Sequence, residues 1–327
     1  MRLHLLIFPA LVACGGGFEA FTWSSKAPLP IPRTDLALAS LGGNLYAIGG
    51  YSGSTLARLD QYAPDANTWT QKASLLSARR EFAAGVMNDK IYVACGMAWT
   101  DPNAVTYVMT TEEYDPVADR WSARAQCPMP QAFNSVYGNV HIAGAAVNGR
   151  LYALVYNTNI NGAAAMYEFD PLANAWTTKS PPPFSYATYA ATELGGQLYL
   201  AASGNLGGGG PPATNFARYD PATDTWVIRA SLFGIWGSAL ASANGKVYAL
   251  GGVGATRSGA GAASANVNEY DPVTDKWTAA GRFGSARHSA GASLLGHDLY
   301  VAGGAVPASG YGLQPVANLE IGVPRPK

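Results

Sequence analysis

Charge is what this 327-residue chain has least of: 13% of its residues are charged, and 21 basic side chains balance 21 acidic ones. Without clustered Lys and Arg there is no electrostatic footprint for nucleic acid. Histidine and cysteine are also scarce, at four and three. No HxxxH, HxH or paired CxxC spacing occurs among them, so neither a zinc or copper site nor a cofactor is expected. After residue 14 no run approaches the roughly 18 apolar residues of a membrane-spanning helix. The "GGGG" at 207–210 is followed by Pro-Pro rather than Lys-Ser/Thr, which excludes a phosphate-binding loop. What the chain has instead is 38 Gly, 18 Tyr and 8 Trp within 48% hydrophobic residues, a composition for short strands, tight turns and a full core.

The N-terminus stands apart. "MRLHLLIFPALVAC" carries one Arg, then an apolar run from Leu5 to Ala13 broken only by Pro9. Too short to span a bilayer, it reads as an export signal over residues 1–13. Leu11-Val12-Ala13-Cys14 resembles the lipobox of bacterial lipoproteins. That resemblance implies lipidation at Cys14, a short tether over 14–21 and a membrane partner through the anchor. An ordinary secretory signal cleaved near Ala13 or Cys14 is the alternative. Both place the mature protein outside the cytoplasm.

A repeat fills the rest. Trp23, Trp69, Trp121, Trp176, Trp226 and Trp277 are spaced by 46, 52, 55, 50 and 51 residues, and five are preceded by one octet, as in "YDPVTDKW". Between them recurs an apolar strand centred on Tyr46, Tyr92, Tyr152, Tyr199, Tyr248 or Tyr300. Gly/Asn/Asp pairs before that strand signal two-residue hairpins, and Asp-Pro in the octet signals a second turn. Four antiparallel strands per ~50 residues make a propeller blade. Diglycines at Gly49-Gly50, Gly251-Gly252 and Gly303-Gly304, with the Tyr and Trp spacing, resemble the kelch repeat family. The expected fold is an all-β, six-bladed kelch-type propeller over 22–327, its last blade closed by the N-terminal strand.

Function should lie where the repeats differ. Thirteen residues before the strand-two Tyr stand Arg33, Arg79 and Arg287, with Asn139, Tyr186 and Ile235 in the other blades. With their neighbours Asp35, Arg80, Glu81 and His288, and with Trp236, these residues predict a channel mouth having a cationic and an aromatic arc. Arg33, Arg79, Arg80, Tyr186, Trp236, Arg287 and His288 are the ligand-binding candidates, and Trp99 in a long loop is a further aromatic. Bidentate Arg contacts and ring stacking suit an acidic peptide, protein or glycan. The alternative is that each Arg pairs locally to fix a loop. No catalytic residue is assigned, and a monomeric, non-catalytic binding module is expected. The competing readings are a carbohydrate-active enzyme, resembling the six-bladed, exported sialic acid mutarotases, and a purely structural surface protein. Cys95 and Cys127 lie toward one face, either as a disulfide or as two buried thiols.

Overall fold

The computed structural model describes residues 20–101, 104–129, 140–157, 163–184, 188–203, 213–233, 235–254, 261–307 and 313–325. Six four-stranded antiparallel sheets form the blades. Blade one is Ala37–Leu41, Asn44–Ile48, Leu59–Ala63 and Thr68–Lys72. Blades two to five begin at Ala83, Val140, Thr188 and Ala239 and repeat the order. Blade six takes three strands from the C-terminus, Gly291–Leu295, Asp298–Ala302 and Leu319–Pro324, and its fourth, Phe21–Lys26, from the N-terminus. Trp23 stands opposite Gly322 in that closing pair, as the unmatched terminal strands required.

The hairpins follow their turn chemistry. Gly42-Gly43, Asn148-Gly149, Gly195-Gly196 and Asn244-Gly245 all have positive φ at both positions, the requirement of the two-residue turn that matches strand twist. Buried residues alternate into interblade clusters, where Tyr46 and Tyr114 of blades one and two, and Tyr152 and Tyr219 of blades three and four, meet ring to ring.

The octet does more than turn a corner. Asn67, Asp119, Asn174, Asp224 and Asp275 all adopt positive φ. Each accepts, at Oδ1, a backbone N–H from the residue that ends the preceding blade: Ala27, Ala73, Ala125, Ser180 and Ala230 respectively. The octet Trp then donates its indole N–H to the carbonyl of that same residue, as Trp121 does to Ala73 at 2.9 Å and Trp277 to Ala230 at 2.8 Å. Both orphaned groups of one residue are thus held by the next blade, which is why carboxamide or carboxylate and indole recur together. Only the joint between blades five and six lacks an octet, and there the buried indole nitrogen of Trp23 has no hydrogen-bond partner.

Candidate functional site

The innermost strands enclose a central channel of about 700 Å³ walled largely by Ala, Gly and Ser. Close approach explains the small residues: a Cβ on Gly85 would stand 2.5 Å from that of Ala146 in the next blade. Each first strand starts at one mouth of this channel.

At that mouth Asp35, Glu81 and Ser289 hold the same place in blades one, two and six, and Gly237 holds it in blade five. All four have positive φ, 54°, 47°, 52° and 68°. The conformation turns each N–H toward its neighbour: Glu81 donates to the Asp35 carbonyl at 3.3 Å, Asp35 to Ser289 at 3.0 Å and Ser289 to Gly237 at 2.9 Å. A left-handed backbone at three non-glycine positions is unfavourable by itself, and this chain of interblade bonds over-determines it.

The side chains of this arc form one polar cluster. Arg80 Nη2 lies 2.9 Å from Glu81 Oε1 and 3.2 Å from Asp35 Oδ2. Glu81 Oε2 in turn meets His141 Nδ1 of blade three at 2.7 Å. The Arg80 guanidinium lies over the Trp99 ring at 4.3 Å and the Tyr51 ring at 5.2 Å, a cation–π arrangement. Trp99 belongs to a two-stranded ribbon, Met97–Asp101 with Ala104–Tyr107, and its N–H donates to Thr55 Oγ1 at 2.8 Å. Trp99 remains 38% exposed beside the mouth. His288 is buried at the rim, and burial lowers its pKa.

The two carboxylates are driven apart. Burial raises Asp35 to about 6, against the opposing pull of Arg80. Burial would raise Glu81 as well, but the charges and hydrogen bonds of His141 and Arg80 outweigh it and hold its pKa low. Burial lowers His141, and its Glu81 partner more than restores it, for a net rise.

The sequence expectation is corrected for three arginines. Arg33, Arg79 and Arg287 are fully buried and do not line the channel. Each points outward, between strands two and three of its own blade. Arg33 pairs with Asp60 at 2.7 Å and donates to the Ala47 carbonyl. Arg79 pairs with Glu112 and donates to the carbonyls of Cys95 and Thr110. Arg287 pairs with Glu320 at 2.5 Å and donates to the Val301 carbonyl. The partners are therefore neither Asp35 nor Glu81. Asp60, Glu112 and Glu320 stand opposite Ala47, Val93 and Val301, one residue after the strand-two Tyr. Tyr167, Ala217 and Asn268 take that place in the three blades without the Arg. That repeat-by-repeat coincidence of Arg with a carboxylate was the readable signal. Arg80 and His288 do line the mouth, joined by His141, which spacing had not marked. Trp236 pairs with Val253 in a short ribbon, but its side chain, all of Tyr186 and Cys14 lie outside the described residues.

Cys95, at the end of strand two of blade two, and Cys127, in the segment that leaves the fourth strand of that blade, form a disulfide with Cα atoms 5.7 Å apart. Cys95 occupies the first diglycine position of its repeat, with φ 57°. At the joints between blades six and one and between blades five and six, Leu29 packs against Gly303 and Phe283 against Gly251. Cys127, six residues after its Trp as Leu29 and Phe283 are after theirs, takes the same place and replaces an apolar contact with a covalent one.

The Kelch motif matches at residues 32–76 and 237–283, covering blades one and five. This is a kelch-repeat propeller. The kelch chain is 27% identical over 284 residues to Kelch-like protein 15 of Danio rerio, covering 78% of this chain and 44% of that protein. It is 26% identical over 214 residues to Beta-scruin of Limulus polyphemus, covering 61% of this chain and 22% of that one. It spans less than half the length of these relatives. Among solved structures it is similar to "Structure of YjhT", with a TM-score of 0.70 and 17% identity, over 91% of this chain and 97% of that one. At that identity the likeness concerns the fold.

Proposed function

We propose that this kelch propeller is an exported binding module, anchored through Cys14, that recognises a protein, peptide or glycan at the channel mouth. The observation that carries the reading is the cluster of Arg80, Asp35, Glu81 and His141 beside the exposed Trp99 ring, opening on a channel of about 700 Å³. An aromatic face next to donors and acceptors suits ligands with both apolar and hydrogen-bonding surface. With three arginines consumed in buried pairs, the mouth is not a cationic arc. Arg80 already faces two carboxylates, so the ligand it favours is uncharged and polar rather than acidic. The disulfide accords with an oxidising compartment.

The test is a glycan and peptide array probed with residues 20–327 and with the Arg80→Ala and Trp99→Ala variants. Binding by the parent that both folded variants lose supports the mouth. An unchanged profile in both removes it.

A carbohydrate-active enzyme is the second reading, favoured by one observation: two carboxylates on a single guanidinium with protonation tendencies pushed apart, the pattern of an acid and a base. Exchange spectroscopy on any sugar identified by the array decides it, since a binding module leaves anomer and epimer exchange at the uncatalysed rate.

A further inference from the structure

Eight large hydrophobic side chains are exposed among the described residues, and they are unevenly placed. Leu76 and Trp99 lie at the mouth end. Val117, Leu172, Val227, Ile228, Val273 and Val323 lie at or near the opposite end, where the third and fourth strands of each blade meet. Val117, Leu172 and Val273 are the tips of octet turns in blades two, three and five, exposed by 96%, 83% and 89%. The same residue is Asp65 in blade one and Ala222 in blade four.

A second feature accompanies the apolar tips. In blades two, three and five the octet Asp is neutralised by the basic residue that opens strand two: Asp115 by Lys90 at 3.6 Å, Asp170 by Arg150 at 2.9 Å and Asp271 by Lys246 at 2.7 Å. Blade one has Ala63 in place of that Asp, and in blade four strand two opens with the uncharged Gln197 opposite Asp220. So the three turns that present a large apolar tip are the three whose charge is compensated beneath it. Such pairing lowers the cost of bringing the turn to a less polar medium.

Three tips spread over blades two, three and five can be met at once only by a flat partner about as wide as the propeller. The first strand, Phe21–Lys26, emerges at this end too, because Phe21 pairs with Pro324 and Lys26 with Leu319, which stands opposite Ala302 at the mouth end. Seven steps separate Cys14 from Phe21, a reach of at most about 25 Å. A lipid on Cys14 is therefore held on the side of the tips.

We infer that the face opposite the mouth rests on a bilayer, with Val117, Leu172 and Val273 at headgroup level and the mouth directed away from the membrane. The inference rests on the proposed anchoring at Cys14. Full-length protein made in a lipoprotein-processing bacterial host is reconstituted into phosphatidylcholine vesicles bearing headgroup nitroxides, with a fluorophore on Ala118→Cys or on Ser54→Cys. The expected result is several-fold stronger quenching at position 118 than at 54. The Val117→Asp/Leu172→Asp/Val273→Asp variant, still vesicle-bound, should bring the two labels toward equality. Equal quenching at 118 and 54 in the protein with native tips, or stronger quenching at 54, overturns the orientation while the anchoring reading survives. An intact mass without the acyl adduct overturns both. If the triple variant does not fold, the comparison of the two labels decides alone.

Discussion

The carbonyl oxygen of Arg287 lies 2.4 Å from where a Cβ on Gly251 would stand, and it accepts the N–H of Gly252 at 2.9 Å. Arg79 and Arg33 stand in the same relation to Gly49-Gly50 and Gly303-Gly304. Each diglycine thus belongs to the Arg of the following blade. Gly251→Ala combines that backbone clash with a φ of 68°, and an unfolding loss of more than about 2 kcal/mol is expected in urea titration. Gly53→Ala, equally left-handed but with nothing within 4 Å, should lose about 1 kcal/mol.

Removing a buried arginine leaves its carboxylate uncompensated. Arg79→Ala is expected to cost about 3 kcal/mol: Glu112 keeps the N–H groups of Leu76 and Ser77 and the Thr110 hydroxyl but loses its cation. Arg79→Met/Glu112→Gln removes both charges while leaving an acceptor for the N–H groups of Leu76 and Ser77, and should recover part of that loss in the same denaturant experiment. A single variant as stable as the double would contradict the pairing.

Proton uptake at the mouth sets a pH dependence. Asp35 has a raised folded pKa, so its protonation adds stability as pH falls from about 6 towards 4. His141, also raised, contributes stability that is present below its unfolded value near 6.5 and is lost as pH rises through its folded pKa. Glu81, held low, acts oppositely, and its contribution is lost only as pH falls below the ordinary carboxylate range. As pH falls from 8 to about 5, Asp35 and His141 should raise the transition temperature in thermal scans against His288, whose lowered pKa removes stability below its unfolded value near 6.5; at lower pH the temperature should fall. In His141→Gln the rise above about pH 6 should flatten.

The Asp or Asn two residues before each octet Trp works chiefly as an oxygen acceptor, the ion pair of Asp119 with Lys72 at 3.5 Å being solvent-exposed. Asp119 accepts from the Ala73 N–H at 2.9 Å and the Tyr114 hydroxyl at 2.7 Å, and Asn67 does the same in blade one. Asp119→Asn should therefore be almost neutral and Asp119→Ala should cost about 1–2 kcal/mol, with faster amide exchange at Ala73 as the local readout.

Much of the ring was legible because repetition averages over local ambiguity: one octet is a turn, and five at constant spacing are an architecture. The site was harder. Arg33 and Arg79 look alike in sequence, but their carboxylates, Asp60 and Glu112, follow the strand-two Tyr by 14 and 20 residues because the intervening loops differ. Counted back from the octet they align, each two residues before its Tyr, at Tyr62 and Tyr114, so the pair is legible only with two anchors at once. The left-handed backbone of Asp35, Glu81 and Ser289 left no mark, since none is Gly or Asn. His141 sits within a regular strand, and only its meeting with Glu81 from the next blade gives it a role.

The joint between blades five and six, where the Trp23 indole lacks a partner, also has a mechanical meaning. On the anchoring proposed at Cys14, tension would arrive at Phe21, at the end of the closing strand that pairs with Pro324. Because Phe21–Lys26 runs from the tip face to the mouth end, a pull directed away from the tip face loads its ladder along the strand, as shear. Blade six would open before any joint held by an octet, so a load on the anchor would be released at the seam while the five remaining blades kept their shape.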